Sequence, residues 1–381
     1  MGPLETMQKH YEQRDAAARE WKGRGGKVVG YLSDDVPEEM IPAAGLFPFR
    51  MSGDPSGGTE EADRYTETFY DPSVRSILNM ILAGKYDFLD FIIIPHASDS
   101  ILKLYHQMWW IHRINPAITF PPVHLFDILH LPLYTTGLYV RDRVRELKAK
   151  LEEWSGNGLT DEALARTIAL GNENRSLLKR VAALRAAEPP YLTGSQALRI
   201  IGTSTFMPKE EHNRLLKQFL EETDRLPVKE GVRLFIEGSD LDNVQLYELI
   251  ESCGAVVVAE DSNWGNRYFE DPADESCDPL DAIVDRYHLR PSRIRIQSID
   301  QRVGYCTRRV AEARAQGVVF FIYEWDPAPA WDFPDQRKAL EAMGIPTLAF
   351  NAQKYVLSGR KKQEIRDEVR QFIETIRTRD C

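Results

Sequence analysis

The second half of the chain alternates between short apolar runs and helical patterns, and this alternation constrains the fold more than any other feature. We predict strands separated by helices of roughly a dozen residues, at 198–202, 232–237, 255–259, 317–323 and 346–350. Strands joined by helices in this way form parallel, doubly wound sheets.

The first half shows the same pattern twice. Residues 27–32 form an apolar strand followed by a polar turn, and a helix opens at Val36 and ends at Gly45. The run 88–95 is almost wholly apolar, as buried parallel strands are, and a helix follows it. The stretches 138–154 and 160–187 are helical with no strand between them.

These patterns predict an α/β protein with two doubly wound parallel-sheet domains, Rossmann-like or flavodoxin-like. A length of 381 residues suits two domains. We place the N-terminal α/β domain at 1–135, a helical segment at 136–190 and the C-terminal α/β domain at 191–381. Pro189-Pro190 interrupts the helical pattern near the second boundary.

Charge and hydropathy exclude several functions. The net charge of −10 argues against nonspecific binding to nucleic acid. We expect no membrane span, and the polar start of the chain lacks the apolar core of a signal peptide, which predicts a cytoplasmic protein. The cysteines Cys253, Cys277, Cys306 and Cys381 contain no C-x-x-C pair, so we expect free thiols.

Four polar segments lie at or just after the ends of predicted strands, at 30–39, 94–100, 260–267 and 323–327. Ligands of doubly wound sheets bind beside the carboxyl ends of the strands. We therefore expect the four segments to converge on one cleft.

The order and spacing of these segments, together with Ala43-Ala44-Gly45-Leu46-Phe47-Pro48 and Gly238-Ser239-x-Leu241-Asp242-Asn243, resemble the 2-hydroxyacyl-CoA dehydratase and benzoyl-CoA reductase family. The resemblance implies a subunit of a two-subunit enzyme that acts on an acyl-CoA or aromatic-CoA thioester. It also implies cysteine-held 4Fe-4S clusters and a separate ATP-dependent activator that supplies electrons.

The cysteines that this resemblance implies are missing. Their positions are occupied by Ser33, Ala97, Asn263 and Trp325, none of which supplies a thiolate. We therefore expect no cofactor on this chain, and a homologous partner subunit that carries the 4Fe-4S cluster, as a heterodimer. The alternative is a metal-free, homo-oligomeric CoA-thioester enzyme, or a binding or scaffold protein.

Candidate acid–base groups follow the first two strand ends. Ser33 and Asp34, with Asp35 beside them, and His96 are the candidate catalytic residues. The alternatives are structural: the acids would solvate a turn and favour the start of a helix, and His96 would cap a helix or bond to a carbonyl.

Candidate substrate contacts come from residues that expose backbone N–H groups or a cation at strand ends. They are Arg50, Gly238, Ser239, Asn263 and Arg267.

The segment 105–110 holds more aromatic side chains than one buried helix face can cover, which favours a subunit interface or packing against another element of the chain.

Overall fold

The computed structural model describes residues 2–67, 69–289 and 297–379. In this part of the chain, eight strands form two four-stranded sheets in which all neighbouring strands are parallel. The first sheet contains β1 (Val28–Tyr31), β2 (Phe47–Arg50), β3 (Phe91–Pro95) and β4 (Val123–Phe126). The second contains β5 (Val232–Gly238), β6 (Ala255–Glu260), β7 (Gly317–Tyr323) and β8 (Thr347–Gln353).

The two sheets have the same strand order, β2-β1-β3-β4 in the first and β6-β5-β7-β8 in the second. In each, the first strand along the chain is central and the second lies at the edge. This arrangement confirms the predicted α/β fold with two parallel sheets.

Fourteen α-helices surround the sheets in the described part of the chain. They are α1 (Pro3–Glu12), α2 (Ala16–Gly23), α3 (Met40–Ala43), α4 (Pro72–Leu82), α5 (Asp99–Ile114), α6 (Tyr134–Ser155), α7 (Asp161–Ala186), α8 (Gly194–Thr203), α9 (Lys209–Glu221), α10 (Gln245–Glu251), α11 (Pro279–His288), α12 (Ile299–Glu312), α13 (Pro327–Ala342) and α14 (Gly359–Arg379). None of them is long and apolar enough to span a membrane.

Capping residues that can be recognised in the sequence lie at the start of several of these helices. The Asp71 carboxylate accepts hydrogen bonds from the backbone N–H groups of Ser73 and Val74, and Pro72 occupies the first helical position of α4. Ser98 caps α5 in the same manner. Each such cap stabilises a helix by about 1 kcal/mol.

Each sheet is buried on both faces, which explains the continuous apolar runs of its strands. The central strands β1, β5 and β7 are buried along their whole length. On one face of the first sheet, Phe91 stacks on Trp154 of α6 with ring centroids 4.4 Å apart. Contacts of this kind fix α6 against the sheet.

The predicted strand at 198–202 is wrong, because these residues lie in α8. Thr193 and Gln196 form a reciprocal capping box at the start of this helix. The helix is buried on nearly all sides, so its sequence is as continuously apolar as that of a buried strand.

Two strands were not predicted, and one predicted helix is shorter than expected. β2 and β4 have four residues each; Pro48 is tolerated in β2 because this strand lies at the sheet edge. The helix expected from Val36 to Gly45 covers only α3, although Gly45 does follow its end with a φ of 79°.

Glu38 and Glu39 precede α3 and belong to a buried network. Glu38 accepts hydrogen bonds from the hydroxyls of Tyr31 (2.7 Å) and Tyr268 (2.6 Å), and pairs with Lys209 at 3.2 Å. Glu39 pairs with Arg175 at 2.9 Å and accepts a hydrogen bond from Tyr287. These contacts join α3 to α7, α9 and α11.

The predicted domain boundaries at 135 and 190 remain predictions.

Candidate functional site

A cleft of about 1000 Å³ lies beside the carboxyl ends of both sheets. Its lining includes residues from all four strand-end segments, among them Ser33, Ala97, Asn263 and Trp325. The expected convergence is therefore confirmed: the four positions at which the family resemblance implies cysteines face one cavity.

The loop after β1 forms one wall of the cleft with Ser33, Asp34 and Asp35. Ser33 has a φ of 61°, an uncommon left-handed conformation for a non-glycine residue, and its Oγ donates to Asp35 Oδ2 at 2.6 Å. Asp35 Oδ1 lies 3.5 Å from Nε2 of His130, which also lines the cleft. Ser33 and Asp34 both line the cleft, and their acid–base role stays a prediction.

His96 lies at the end of β3 and does not share in the described cleft lining. Its Nδ1 is 2.8 Å from Asp127 Oδ1, and Tyr139 donates to the other oxygen of the same carboxylate at 2.5 Å. Burial alone would raise the pKa of Asp127, but the hydrogen bonds from Tyr139 and His96 lower it. Ser33 and Asp34 are thus among the described lining residues and His96 is not, and the catalytic role of His96 stays a prediction.

Arg50 connects the two sheets across the base of the cleft. Its guanidinium donates to the main-chain oxygen of Asn263 at 2.9 Å and to Asn263 Oδ1 at 2.7 Å. It also lies over the ring of Trp264, 3.9 Å from the centroid. With an exposed fraction of 1%, Arg50 is held by the protein on several sides.

Arg267 is held in a similar way on the second sheet. It forms ion pairs with Asp240 and with Asp261, the latter at 2.8 Å. Burial lowers its pKa, but the two carboxylates outweigh burial and raise it. The Asp240 carboxylate also accepts from the backbone N–H of Asn263 at 2.6 Å. Arg50, Asn263 and Arg267 therefore form one connected wall.

Gly238 and Ser239 form the end of β5 and the residue that follows it. Gly238 has a φ of 125°, and a Cβ there would lie 2.3 Å from the main-chain oxygen of Phe321, so only glycine fits. Ser239 Oγ accepts from the N–H of Tyr323 at 2.9 Å and donates to Asp326 Oδ2 at 2.7 Å. Gly238 lines the cleft, whereas Ser239 is outside the described lining and contacts the lining residue Asp326.

Asp326 and Asp71 are cleft residues that we did not predict from the sequence. Burial, followed by repulsion from Asp71, raises the pKa of Asp326 to about 7, and burial also raises the pKa of Asp71. Both side chains line the cleft. The signal was present: each acid precedes a proline at the start of a helix, and Asp326 closely follows a predicted strand.

Three large aromatic side chains from both halves of the chain line the cleft while remaining exposed: Phe69 (49%), Trp325 (54%) and Trp331 (80%). The rings of Phe69 and Trp325 meet edge to face with centroids 6.2 Å apart. Trp325 has a φ of 63°, a left-handed conformation that costs about 1–2 kcal/mol for a residue with a side chain.

The described residues that line the cleft do not fit an iron–sulfur cluster, because they include no cysteine. Cys253, Cys277 and Cys306 are free, and none of them lines the cleft. Cys381 lies outside the described residues. Cys306 is fully buried on α12, where burial raises the pKa of its thiol well above the ordinary value. The described residues contain no group of three or more histidine, cysteine, aspartate or glutamate residues that could hold a metal ion.

Comparisons with known proteins agree on one group of related enzyme subunits. The chain is 25% identical to the (R)-phenyllactyl-CoA dehydratase beta subunit of Clostridium sporogenes, over 98% of this chain and 96% of that one. It is 26% identical to one of the subunits of the benzoyl-CoA reductase of Thauera aromatica, over 96% of each chain. It is 23% identical to the beta subunit of the (R)-2-hydroxyglutaryl-CoA dehydratase of Acidaminococcus fermentans, over 90% of this chain and 91% of that one.

A family model agrees with these similarities and confirms the resemblance inferred from the motifs. The model for the 2-hydroxyglutaryl-CoA dehydratase D-component matches residues 35–376. The matched range contains both sheets except for β1. The chain therefore belongs to the 2-hydroxyglutaryl-CoA dehydratase D-component family.

Proposed function

We propose that this chain is the subunit that does not ligate a cluster in a dehydratase-like or benzoyl-CoA-reductase-like complex acting on a CoA thioester. One observation carries the proposal: the four strand-end segments still form one cleft, but Ser33, Ala97, Asn263 and Trp325 occupy the positions of the expected ligands. The scaffold is retained while the soft thiolate donors that hold cluster iron are replaced.

The partner in this proposal is a homologous subunit that keeps its cysteines and holds the 4Fe-4S cluster, in a cytoplasmic complex supplied with electrons by an ATP-dependent activator. The relatives named above are themselves described as subunits. An intact cleft on this chain would then contribute substrate contacts rather than the cluster.

Within the cleft, we propose Gly238 and Asn263 as substrate contacts, because both line it. Arg50 and Arg267 also line it, but their guanidinium groups are engaged by Asn263 and by Asp240 and Asp261. We therefore propose that the two arginines contact substrate only with the part of the guanidinium that faces the cavity, and that Ser239 acts through Asp326.

The test is assembly with a candidate partner. The chain would be co-expressed with a homologous chain that retains the cysteines, purified without oxygen, and assayed for iron, sulfide and subunit ratio. We expect a one-to-one complex whose iron is lost when this chain is purified alone. A partner variant with its cysteines replaced by serine serves as the control, and should assemble without iron.

Two results would overturn the proposal. Iron and sulfide bound by this chain alone would show that ligands other than the expected cysteines hold a cluster. A stable homo-oligomer that ignores the homologous chain would favour the alternative of a metal-free enzyme or binding protein.

One observation favours that alternative. A carboxyl group with a pKa of about 7 exchanges protons readily at neutral pH, and Asp326 provides one in the cleft. Under this alternative Asp34, with Ser33, and Asp326 would perform acid–base chemistry on a thioester, and His96 would act from outside the described lining. Thioester binding by the pure protein that is lost in Asp34→Asn or His96→Gln, but kept in control variants of exposed residues away from the cleft, would support it.

A further inference from the structure

The aromatic side chains at the cleft are largely exposed to solvent, although their apolar surface favours burial. Trp331 is 80% exposed and Trp325 is 54% exposed, although burial of a large apolar side chain is favourable. Exposed aromatic residues at a cavity are typical of sites where a ligand completes the packing. The feature therefore indicates an apolar ligand group at this position.

The position and backbone of Trp325 single it out. It follows β7 at a strand end, and its left-handed backbone conformation is unfavourable for a bulky residue. Such strain persists where the surrounding structure imposes it, and it is concentrated at ligand-binding sites. In this conformation the indole of Trp325 lines the cleft and is not part of the buried core.

Phe69 and Trp325 come from different halves of the chain and together form an angular aromatic surface. Their rings meet at an interplanar angle of 70° with centroids 6.2 Å apart. A third aromatic ring can stack on one of these faces and meet the other with its edge, which is the arrangement that aromatic quadrupoles favour. A saturated ring has no π system, so it gains from apolar and weak C–H···π contact but not from this quadrupole complementarity.

We infer that Phe69, Trp325 and Trp331 form an aryl-binding platform, so that the cleft selects thioesters with an aromatic acyl group over aliphatic ones. The inference deepens the proposed function and rests on it for the thioester. It assigns Trp325 a specific role: the residue at a lost ligand position binds the ring of the substrate.

The test is a pair of probes that differ only in aromaticity, benzoyl-CoA and cyclohexanecarbonyl-CoA, titrated calorimetrically into the full chain. We expect benzoyl-CoA to bind about 5-fold to 10-fold more tightly, as one favourable aromatic contact allows. The preference should fall to about 1-fold in Trp325→Ala and be largely kept in Trp325→Phe.

Trp110→Ala is the matched control. Trp110 is 50% exposed, close to the value for Trp325, but it lies on α5 and does not line the cleft. We expect this variant to keep the full preference for benzoyl-CoA. Circular dichroism of each variant would confirm that the fold is intact.

Benzamide and cyclohexanecarboxamide separate this inference from the proposed function. If neither thioester binds but benzamide is still preferred and Trp325→Ala removes the preference, the platform stands and thioester binding fails. Equal affinities for both members of each pair, a preference unchanged by Trp325→Ala, or binding of neither pair would overturn the inference. The same holds if Trp325→Ala and Trp331→Ala alter only assembly with a partner chain.

Discussion

Two pairs of carboxylates in this protein have opposite electrostatic surroundings. Glu38 and Glu39 lie in the network between α3, α7, α9 and α11, where burial alone would raise the pKa of Glu39 but Arg175 and Arg286 lower it to about 2. Asp71 and Asp326 line the cleft, where burial and mutual repulsion raise the pKa of Asp326 to about 7. The difference lies in the cations close to each pair.

The comparison separates a structural role from a chemical one. Lys209 and Arg175 form ion pairs with the two glutamates, whereas in the described part of the chain neither Asp71 nor Asp326 forms an ion pair. Compensated buried charges hold elements together, and uncompensated ones exchange protons at neutral pH. Three substitutions test this distinction, in order of decreasing effect, and a fourth, at Trp325, tests whether a second cleft residue also lacks a structural role.

Arg175→Met should have the largest effect on stability. The substitution leaves Glu39 with less compensation in a fully buried position, which should lower the free energy of unfolding by about 3–5 kcal/mol. Urea denaturation would measure the loss. Arg19→Met is the control, since it removes only exposed ion pairs, with Asp15 and Asp87, and should cost less than about 1 kcal/mol. Equal losses in the two variants would contradict the structural role.

Glu39→Gln should change how stability depends on acid. Because the pKa of Glu39 is lower in the folded protein than in the unfolded chain, its contribution is present above about pH 4.5 and is lost as the pH falls towards 2. The variant should be less stable than the parent by about 3 kcal/mol at pH 7, with the gap closing below pH 4.5. Urea denaturation midpoints of both proteins, measured from pH 7 to pH 2.5, would show this change. A stability difference that does not depend on pH would contradict the prediction.

Asp326→Asn should act in the opposite direction. The pKa of Asp326 is higher in the folded protein than in the unfolded chain. Between about pH 3.8 and pH 7, the carboxyl group therefore keeps its proton in the folded protein and has lost it in the unfolded chain. The parent protein loses stability as the pH rises through this range. Because Asp326 is only partly buried, we expect the variant to gain on the order of 1 kcal/mol at pH 8 and nothing at pH 4. A loss at pH 8 would indicate a structural role like that of Glu39.

Trp325→Gly should have the smallest effect on stability. Relief of the left-handed backbone offsets the lost contact with Phe69 and the greater freedom of the unfolded chain, so we expect a change below about 0.5 kcal/mol. Trp154→Gly, which removes a buried stack on Phe91, should cost more than about 3 kcal/mol. Similar losses at both positions, measured by thermal unfolding, would mean that Trp325 stabilises the fold.

The sequence alone predicted the secondary structure correctly where a segment has a distinct local pattern. The strands β5, β6 and β7 were predicted within a residue or two, because each is a short apolar run between helical patterns. The 198–202 run failed because a fully buried helix gives the same apolar continuity. β2 and β4 failed because four residues, with prolines in or next to them, give too weak a periodic signal.

The candidate site was predictable in position but not in chemistry. The strand-end rule placed Ser33, Asp34 and Asn263 at one cleft, but it could not show that His96 pairs with Asp127 instead of joining them. The pKa of Asp326 depends on burial and on Asp71, which lies in the other half of the chain. Contacts between residues far apart in sequence leave no local pattern.

Arg50 has a mechanical consequence. Its guanidinium is bonded to Asn263 and rests on Trp264, and its backbone N–H donates to the main-chain oxygen of Thr205 at 3.0 Å. Separation of the two sheets would break both hydrogen bonds from Arg50 to Asn263 and its contact with the Trp264 ring at the same time. We therefore expect the width of the cleft to be set when the chain folds, so that a ligand is selected by its thickness and not enclosed by a movement of the two sheets.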